Sequence, residues 1–337
     1  MMARLLFPLC LLWLSTSTAM ANPLEELRQT EQRLKTVVRL ATPATVSLVA
    51  DQPNPDNSRP RGGAGSGVIV NKEGLILTAA HVIDGASKVT VVFTDGTQVQ
   101  GTVLGANYSR DVAMVGLPPG RDYPHVAVGE SKSLKIGTPV VALGHSAGYD
   151  PTRTPPVRFG RVITHGPGGF ITTDCALIGG DSGGPLFNLE GEVIGIHSHI
   201  GEKRSVNNHA SISGLKRSWQ KMERGDVWGA LGSVRPGDQR PVIGVYLDQS
   251  GSLPHARVDG VAFRGPAFRA GIQAGDWLIA VGDHPVNNAR DLQEALFDYE
   301  PRETVSVRFY RPETEEVLNS RLRLRSEDAV RKLPLTD

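Results

Sequence analysis

From Ala44 to about Ile200 the chain repeats one pattern: a short run rich in Val, Ile, Leu and Thr, then a turn of Gly, Asn or Asp. "TVSLVA", "SGVIV", "LILTAAHV", "KVTVVF", "QVQGTVLG", "VAMVGL", "PVVALGH", "FGRVITH" and "EVIGIHSHI" follow one another at spacings of about 8–15 residues. Many short strands at such intervals predict a mainly β body, closed as a barrel or stacked as a sandwich. The 38 glycines fit the number of tight turns this needs. "DQPNPDNSRPRGG", Asp51 to Gly63, reads as a polar loop.

The flanking regions have other periods. Residues 22–43 carry Leu24, Leu27, Leu34, Val37 and Val38 at helical spacing, which predicts an amphipathic helix packed on the body. "SGLKRSWQKMERG" reads as a second helix ending at Gly225, so the β body spans residues 44–225. Residues 226–239 read as a linker, with Trp228 as its only large docking group. A second β-rich unit covers residues 240–326 and contains one clear helix, "NARDLQEALFDY"; residues 327–337 read as a tail. A chain of 337 residues suits two domains of roughly 100–200 residues each.

Residues 1–21 read as a signal peptide. Arg4 is the basic region, Leu5 to Leu14 the apolar run, and Ala19-Met20-Ala21 the cleavage site. The run is shorter than the roughly 20 residues a membrane span needs, and no other run approaches that length. The expectation is an exported, periplasmic or otherwise extracytoplasmic protein with no stable membrane span; retention of the segment as an anchor is the competing reading. After cleavage 35 basic and 35 acidic residues remain, a balance that gives no electrostatic footprint for nucleic acid. Cys10 leaves with the signal, so Cys175 has no partner for an internal disulfide and reads as a small buried filler.

"GGDSGGPL", Gly179 to Leu186, sets Ser182 among four glycines. A serine hydroxyl becomes a useful nucleophile only with an imidazole to take its proton, a carboxylate to orient that imidazole, and N–H donors for the developing oxyanion. "LTAAHV" places His81 at the end of an apolar strand, and "SRDVAMVGL" places Asp111 at the start of another. The chain order His, Asp, Ser is that of chymotrypsin-like double β-barrels, with His81 and Asp111 in the first barrel and Ser182 in the second. The backbone N–H groups of Gly180 and Ser182 are the predicted oxyanion donors, because side chains there would crowd the approach. His197 and His199 share one strand face, yet the sequence places no third ligand beside them, so no metal is predicted. No glycine loop followed by Lys-Ser/Thr occurs, so no nucleotide or other cofactor is predicted.

These motifs resemble the HtrA/Deg family of trypsin-like serine proteases over nearly the whole mature chain. "GSGVIVNKEGLILTAAHVIDGA" is similar to its histidine segment, "RDVAMVGL" to its aspartate segment and "TTDCALIGGDSGGPLFNLEGEVIGI" to its serine segment. The resemblance implies His81 as base, Asp111 as orienter and Ser182 as nucleophile. "GPAFRAGIQAGDWLIAVGDHPV" and "PVIGVYLD" resemble the family's PDZ domain. This implies a peptide groove along Val242, Ile243, Gly244, Val245 and Tyr246, walled by Leu292 and Leu296, that adds an extended segment as a strand and holds its terminal carboxylate.

By the same resemblance Ala176 lies at the base of the substrate pocket, where an acid would select Lys or Arg; a small or medium apolar residue is expected there instead. His197 is placed at that pocket, where it could make cleavage preference vary between about pH 5 and 8. Ser198 is placed at hydrogen-bonding distance from Asp111. The chain departs from the family in three ways. Asp181 stands where the family usually has Asn; digestive trypsin-like enzymes also have Asp there and pair it with a new N-terminal amine after zymogen cleavage. The segment "THGPGGFITTD" is shorter than the family's sensor loop. No Phe, Tyr or Trp occurs between Asn22 and Val92, where the family places the aromatic contacts of its trimer, so a homo-oligomer is left open and a trimer unsupported.

The function implied is an ATP-independent serine endopeptidase acting on unfolded or misfolded polypeptides. Its PDZ domain would recruit C-terminal peptide segments, or shift the active-site loops between states. A holdase or peptide-binding protein with a misaligned triad, and a protease for one specific partner, are the other readings the residues allow.

Overall fold

The structure, a computed structural model, describes residues 23–51, 63–166, 169–201, 205–229, 240–248 and 256–336. The expected signal peptide and most of the Asp51–Gly63 loop and of the linker lie outside the described residues.

Two six-stranded barrels form the body. In the first, β1 (Thr45–Ala50), β2 (Ala64–Ile69), β3 (Leu75–Thr78), β4 (Lys88–Val92), β5 (Gln98–Asn107) and β6 (Val112–Gly116) pair in the order β5-β4-β1-β2-β3-β6, and β6 returns to β5. In the second, β7 (Pro139–Leu143), β8 (Val157–His165), β9 (Phe170–Thr173), β10 (Pro185–Phe187), β11 (Val193–Ile200) and β12 (Asn207–Ser211) close in the order β10-β11-β12-β9-β8-β7. Closure leaves no long open edge, which lets strands this short remain paired without aggregating.

Each barrel has its own core. Leu48, Ile69, Ile76, Val91 and Val115 fill the first. Val140, Ile171, Leu186 and Ile194 fill the second together with Cys175, whose thiol burial pushes up to about 11, so it is an inert filler. A third cluster, with Leu77, Met114, Leu143, Phe187 and Ile196 among its members, cements the two barrels along the seam where the site lies. Each fully buried side chain of this size contributes about 1.5–3 kcal/mol.

Two helices brace that seam. The helix predicted at the N-terminus is α1 (Pro23–Ala41), which buries Val37 and Ala41 against it. The second, α2 (Ile212–Glu223), contributes Ile212, Leu215 and Met222. The sequence reading ends the β body at Gly225, but strand pairing continues past it. Val227–Trp228 forms β13, parallel to β5; Trp228 is 4% exposed in the inter-barrel core, and the Lys221 ammonium sits 4.6 Å above its ring. Burial of the indole draws the start of the expected linker into the barrel.

The second unit is a sheet in the order β15 (Val245–Leu247), β16 (Ala256–Ala262), β17 (Trp277–Val281), β19 (Thr304–Arg311) and β20 (Glu316–Arg323). The short strand β14 (Pro241–Val242) precedes β15, and β18 (His284–Pro285) hangs on β17. Helix α3 (Pro266–Arg269) is one turn; α4 (Ala289–Leu296) starts at Asn288, whose side chain accepts the Asp291 N–H at 2.9 Å. The expected tail is folded. Glu327–Arg331 is a helical turn that buries Val330, and Leu335–Thr336 pairs with Val261 and Ala262 of β16. The open backbone of β16 there gives these residues a pairing partner, an attraction that two residues of sequence cannot reveal. Among the described residues no helix is long and apolar enough to cross a membrane.

Candidate active site

His81 lies on a 3₁₀ turn, Ala80–Val82, directly after β3. Ala80 and Val82 are buried and anchor the turn, which leaves the imidazole half-buried at the mouth between the barrels. Asp111 closes the β5–β6 turn in the left-handed region, at φ 53°. Few non-glycine residues adopt that conformation, although Asp does so more readily than most. Its carboxylate accepts the His81 backbone N–H at 3.0 Å and lies 2.9–3.0 Å from His81 Nδ1. Ser198 Oγ donates to the same carboxylate at 2.5 Å. An ionised carboxylate only accepts, so Nδ1 carries the proton and Nε2 is left as the free base. Burial disfavours the charged imidazole, but the hydrogen bond and charge of Asp111, with Asp84 beyond, outweigh it and raise the His81 pKa above 6.5.

Ser182 sits on the Gly179–Gly183 turn, which is pressed against the end of β3. Gly183 has φ 84°, and a Cβ there would collide with Ser66 O and Thr78 Oγ1. Gly180 has φ 93°, with the backbone of His145 and Ala147 where a side chain would go. The amides of this turn alternate. Asp181 N donates to Ile178 O (3.1 Å), Gly183 N to His197 O (2.7 Å) and Gly184 N to Asp181 O (2.9 Å). Gly180 N and Ser182 N have no acceptor among the described residues.

The carbonyls around those two amides are held away from them: Gly179 O by Ala147 N at 2.7 Å, Gly180 O by Ser66 Oγ at 2.8 Å and Ser182 O by Ser66 N at 2.7 Å. Across a trans peptide the N–H opposes the C=O, so fixing Gly179 O on Ala147 turns the Gly180 N–H the other way. Ser182 Oγ makes no hydrogen bond to His81 among the described residues. Such contacts in unliganded sites often tighten only around substrate.

Ala176, at the expected pocket base, is exposed and brings no charge. His197 is fully buried, with both ring nitrogens engaged. Nε2 is 3.1 Å from Leu143 O, and Nδ1 is 2.8 Å from Nδ1 of His209, whose Nε2 lies 2.7 Å from Thr173 Oγ1. His197 therefore offers no nitrogen to a substrate. Desolvation first, then His209 and Arg158, hold its pKa well below 6.5, which works against the pH-dependent preference expected from the resemblance. Burial, with His199, brings the His209 pKa down to about 3. Among the described residues no group of three or more His, Cys, Asp and Glu could hold a metal ion.

The neutral histidine pair has a stability signature. The unfolded chain binds protons at these histidines below about pH 6.5, while the folded chain refuses them until far lower. Their contribution is therefore complete above about pH 6.5 and is lost as pH falls toward the folded values, by up to about 1.4 kcal/mol per pH unit for each histidine. Denaturant titrations between pH 7 and 4 should show this slope, and it should be shallower in His209→Gln. An equal slope in the two proteins would assign acid sensitivity elsewhere.

In the second unit, Gly244 turns at φ 81° between β14 and β15. The carbonyls of Ile243 and Gly244 are taken by Ala267 N (2.8 Å) and Ala262 N (3.0 Å), while their own amides have no acceptor among the described residues. β15 is the end strand of its sheet, and Tyr246 on it is exposed; Leu292 and Leu296 of α4 are mostly buried in the domain core.

Sequence reasoning misses a contact that joins this domain to the catalytic turn. Arg110, next to Asp111 and 3% exposed, donates Nε to Asp298 Oδ1 at 2.7 Å and Nη2 to Glu294 O at 2.8 Å. His284 Nε2 lies 3.2 Å from Asp298 Oδ2, and Lys221 Nζ donates to Asp298 O at 3.2 Å. Burial works against the Asp298 carboxylate, but Arg110 and His284 bring its pKa down to about 2. Arg290 of α4 also donates to Gly166 O, after β8, at 2.7 Å.

Known proteins match this arrangement. A family model for the trypsin-like peptidase domain matches residues 65–196, and one for the PDZ domain matches residues 241–322. The chain is 34% identical over 275 residues to a putative serine protease HhoA of Synechocystis sp., covering 72% of this chain and 66% of that protein. It is 33% identical over 284 residues to a probable periplasmic serine endoprotease DegP-like of Brucella suis, covering 80% of this chain and 54% of that one. The chain thus spans between about half and two thirds of the length of these relatives. Among solved structures, the HtrA-type protease AlgW with a tripeptide aligns with a TM-score of 0.61 at 21% identity over 87% of this chain and 96% of its own. The serine endoprotease from Yersinia pestis aligns at 0.57 and 24%, over 87% and 97%. These structural likenesses concern the fold, while the two domain matches in their order and the sequence relatives concern descent: the chain belongs to the HtrA/Deg family of trypsin-like serine proteases that carry a PDZ domain.

Proposed function

We propose that this chain is an exported, ATP-independent serine endopeptidase that hydrolyses peptide bonds of unfolded or damaged proteins. The observation that carries the reading is the pair of unsatisfied amides, Gly180 and Ser182, beside a serine on a turn that abuts the His81 segment. In this reading His81 Nε2 takes the Ser182 proton as Oγ attacks the scissile carbonyl. The two amides hold the oxyanion, and Asp111 stabilises the imidazolium. His81 then protonates the leaving amine, and water activated by the same imidazole releases the acyl-enzyme.

An uncharged, exposed side chain at Ala176 suits a small or medium apolar residue before the cleaved bond. The free amides of Ile243 and Gly244 suit a peptide carboxylate, and the open edge of β15 suits an added strand. Recruitment of C-terminal or extended segments is therefore the role assigned to Val242–Tyr246. Export is supported by the N-terminal sequence pattern and by the relative named as periplasmic.

The test is degradation of a reduced, unfolded protein by the chain from Asn22 onward, beside Ser182→Ala, with and without a C-terminal peptide. Cleavage at many sites by the unmutated chain alone supports the proposal. Cleavage of one folded partner only would make it a regulatory protease, and no cleavage under any condition would make it a peptide-binding protein. Because His81 must be neutral to accept a proton, kcat/KM is expected to fall on acidification with a midpoint above 6.5, the direction in which Asp111 moves the imidazole. A midpoint well below 6.5 would mean that another group limits the rate.

A further inference from the structure

Asp181 stands between the two oxyanion amides with its side chain completely buried. A buried carboxylate is costly unless cations and donors surround it. Here its partners come from one arginine, one serine and its own turn. Arg158, on β8, places Nη2 2.9 Å from Oδ2 and Nη1 3.1 Å from Oδ1. Ser146 Oγ donates to Oδ1 at 2.6 Å, and Ile178 N donates to Oδ2 at 2.9 Å. Arg158 Nη2 also donates to Ser146 Oγ at 2.6 Å, which commits the serine proton to Asp181. Ser146 is fixed in turn, because Arg153 donates to its carbonyl.

The same segment, His145 to Gly148, holds Gly179 O through Ala147 N. The turn that presents Gly180 N and Ser182 N is therefore tied at its middle to β8 and at its start to the 145–148 segment. Among the described residues no partner of Asp181 comes from α1, which packs elsewhere, on the inter-barrel seam.

We propose that Arg158 is a positioning residue whose guanidinium serves as the built-in cation for Asp181 and so holds the Gly180 and Ser182 amides ready without any N-terminal processing. In trypsin-like zymogens a newly cut N-terminal amine supplies that cation. In this chain a strand of the same barrel supplies it. This also accounts for the departure at Asp181: an Asn there needs no cation, whereas an Asp needs one. The inference rests on the reading of Ser182 as nucleophile.

The test is a cycle of Arg158→Met, Asp181→Asn and the double variant in the full mature chain. It reads kcat and KM on a peptide substrate, labelling of Ser182 by a fluorophosphonate, and thermal unfolding. Arg158→Met is expected to lower kcat by about 10²–10³, the loss typical of one misplaced oxyanion donor, with KM changed less than threefold. The double variant is expected to recover kcat to within tenfold of the unmutated chain, since a neutral amide side chain in place of the carboxylate leaves no charge to satisfy. Arg158→Lys, which keeps the charge and loses the two-pronged geometry, should fall between them and serves if Arg158→Met does not fold. A chain with a blocked or extended N-terminus should retain full kcat.

The proposal is overturned if folded Arg158→Met keeps kcat within threefold. It is equally overturned if Asp181→Asn restores the unfolding temperature of Arg158→Met but not its kcat, or if activity appears only after N-terminal cleavage. If the unmutated chain neither cleaves nor takes up the fluorophosphonate, the nucleophile reading itself has failed, an outcome distinct from these three.

Discussion

Replacing Ser182 by alanine is expected to lower kcat on a peptide substrate by about 10⁶, and adding His81→Ala to that variant to lower it scarcely further. In the proposed mechanism nucleophile and base act as one device, so the second loss finds nothing left to remove. What remains comes from groups that alanine does not touch. The Gly180 amide, the residue-182 amide and the substrate pocket survive, and together they leave about 10³–10⁴ over the uncatalysed rate. Asp111→Asn should cost about 10⁴, because an amide can no longer accept from Nδ1–H in the same way and the imidazole turns to the wrong tautomer. Steady-state kinetics on purified variants with matched circular dichroism checks all three. A loss below about 10² for Ser182→Ala, or losses that multiply in the double variant, would remove Ser182 from the role assigned here.

The second large effect is on stability. Asp298→Ala is expected to destabilise the protein by about 3–5 kcal/mol, because it takes the paired carboxylate away from the buried Arg110 guanidinium. Arg110→Met together with Asp298→Leu removes both charges and should cost far less, since exchanging a buried pair for apolar groups is often close to neutral. Chemical denaturation of the four proteins measures the difference. Equal destabilisation of the single and double variants would mean that packing, rather than an uncompensated charge, sets the cost. Exposed pairs such as Lys332 with Asp328 are the control, and their loss should stay within about 1 kcal/mol.

Much of this can be read from sequence where the determinant is local. His81 at the end of β3, Asp111 before β6 and Ser182 on a glycine turn are each announced by their immediate neighbours. The strand spacing leaves barrel and sandwich open, and the chain order His81, Asp111, Ser182 points to the double barrel. What escapes depends on pairings far apart in the chain. Arg110 stands beside Asp111 in the motif, but its partner Asp298 is 188 positions away and in the other domain. Arg158 directly precedes the run "FGRVITH" with no mark to distinguish it from a solvated arginine; the only available signal is that Asp181 requires a cation. The resemblance puts His197 at the pocket, but it is silent on whether the ring meets a substrate or another histidine. Trp228 and the Leu335–Thr336 strand read as linker and tail because two residues of pairing have no period.

The carbonyls of Gly179, Gly180 and Ser182 are all tied back into the barrels, and that has a consequence for restraint. Under the proposed function, oxyanion donors held in place by these ties do not discriminate by waiting for the right guest to arrange them. In that reading any chain that can thread into the cleft meets the same oxyanion donors, so a folded bystander is spared because it cannot enter. Safety in a compartment full of other proteins would then be a matter of admission: which segments are loose enough to reach the cleft, and which are escorted there by a domain fastened one residue from Asp111.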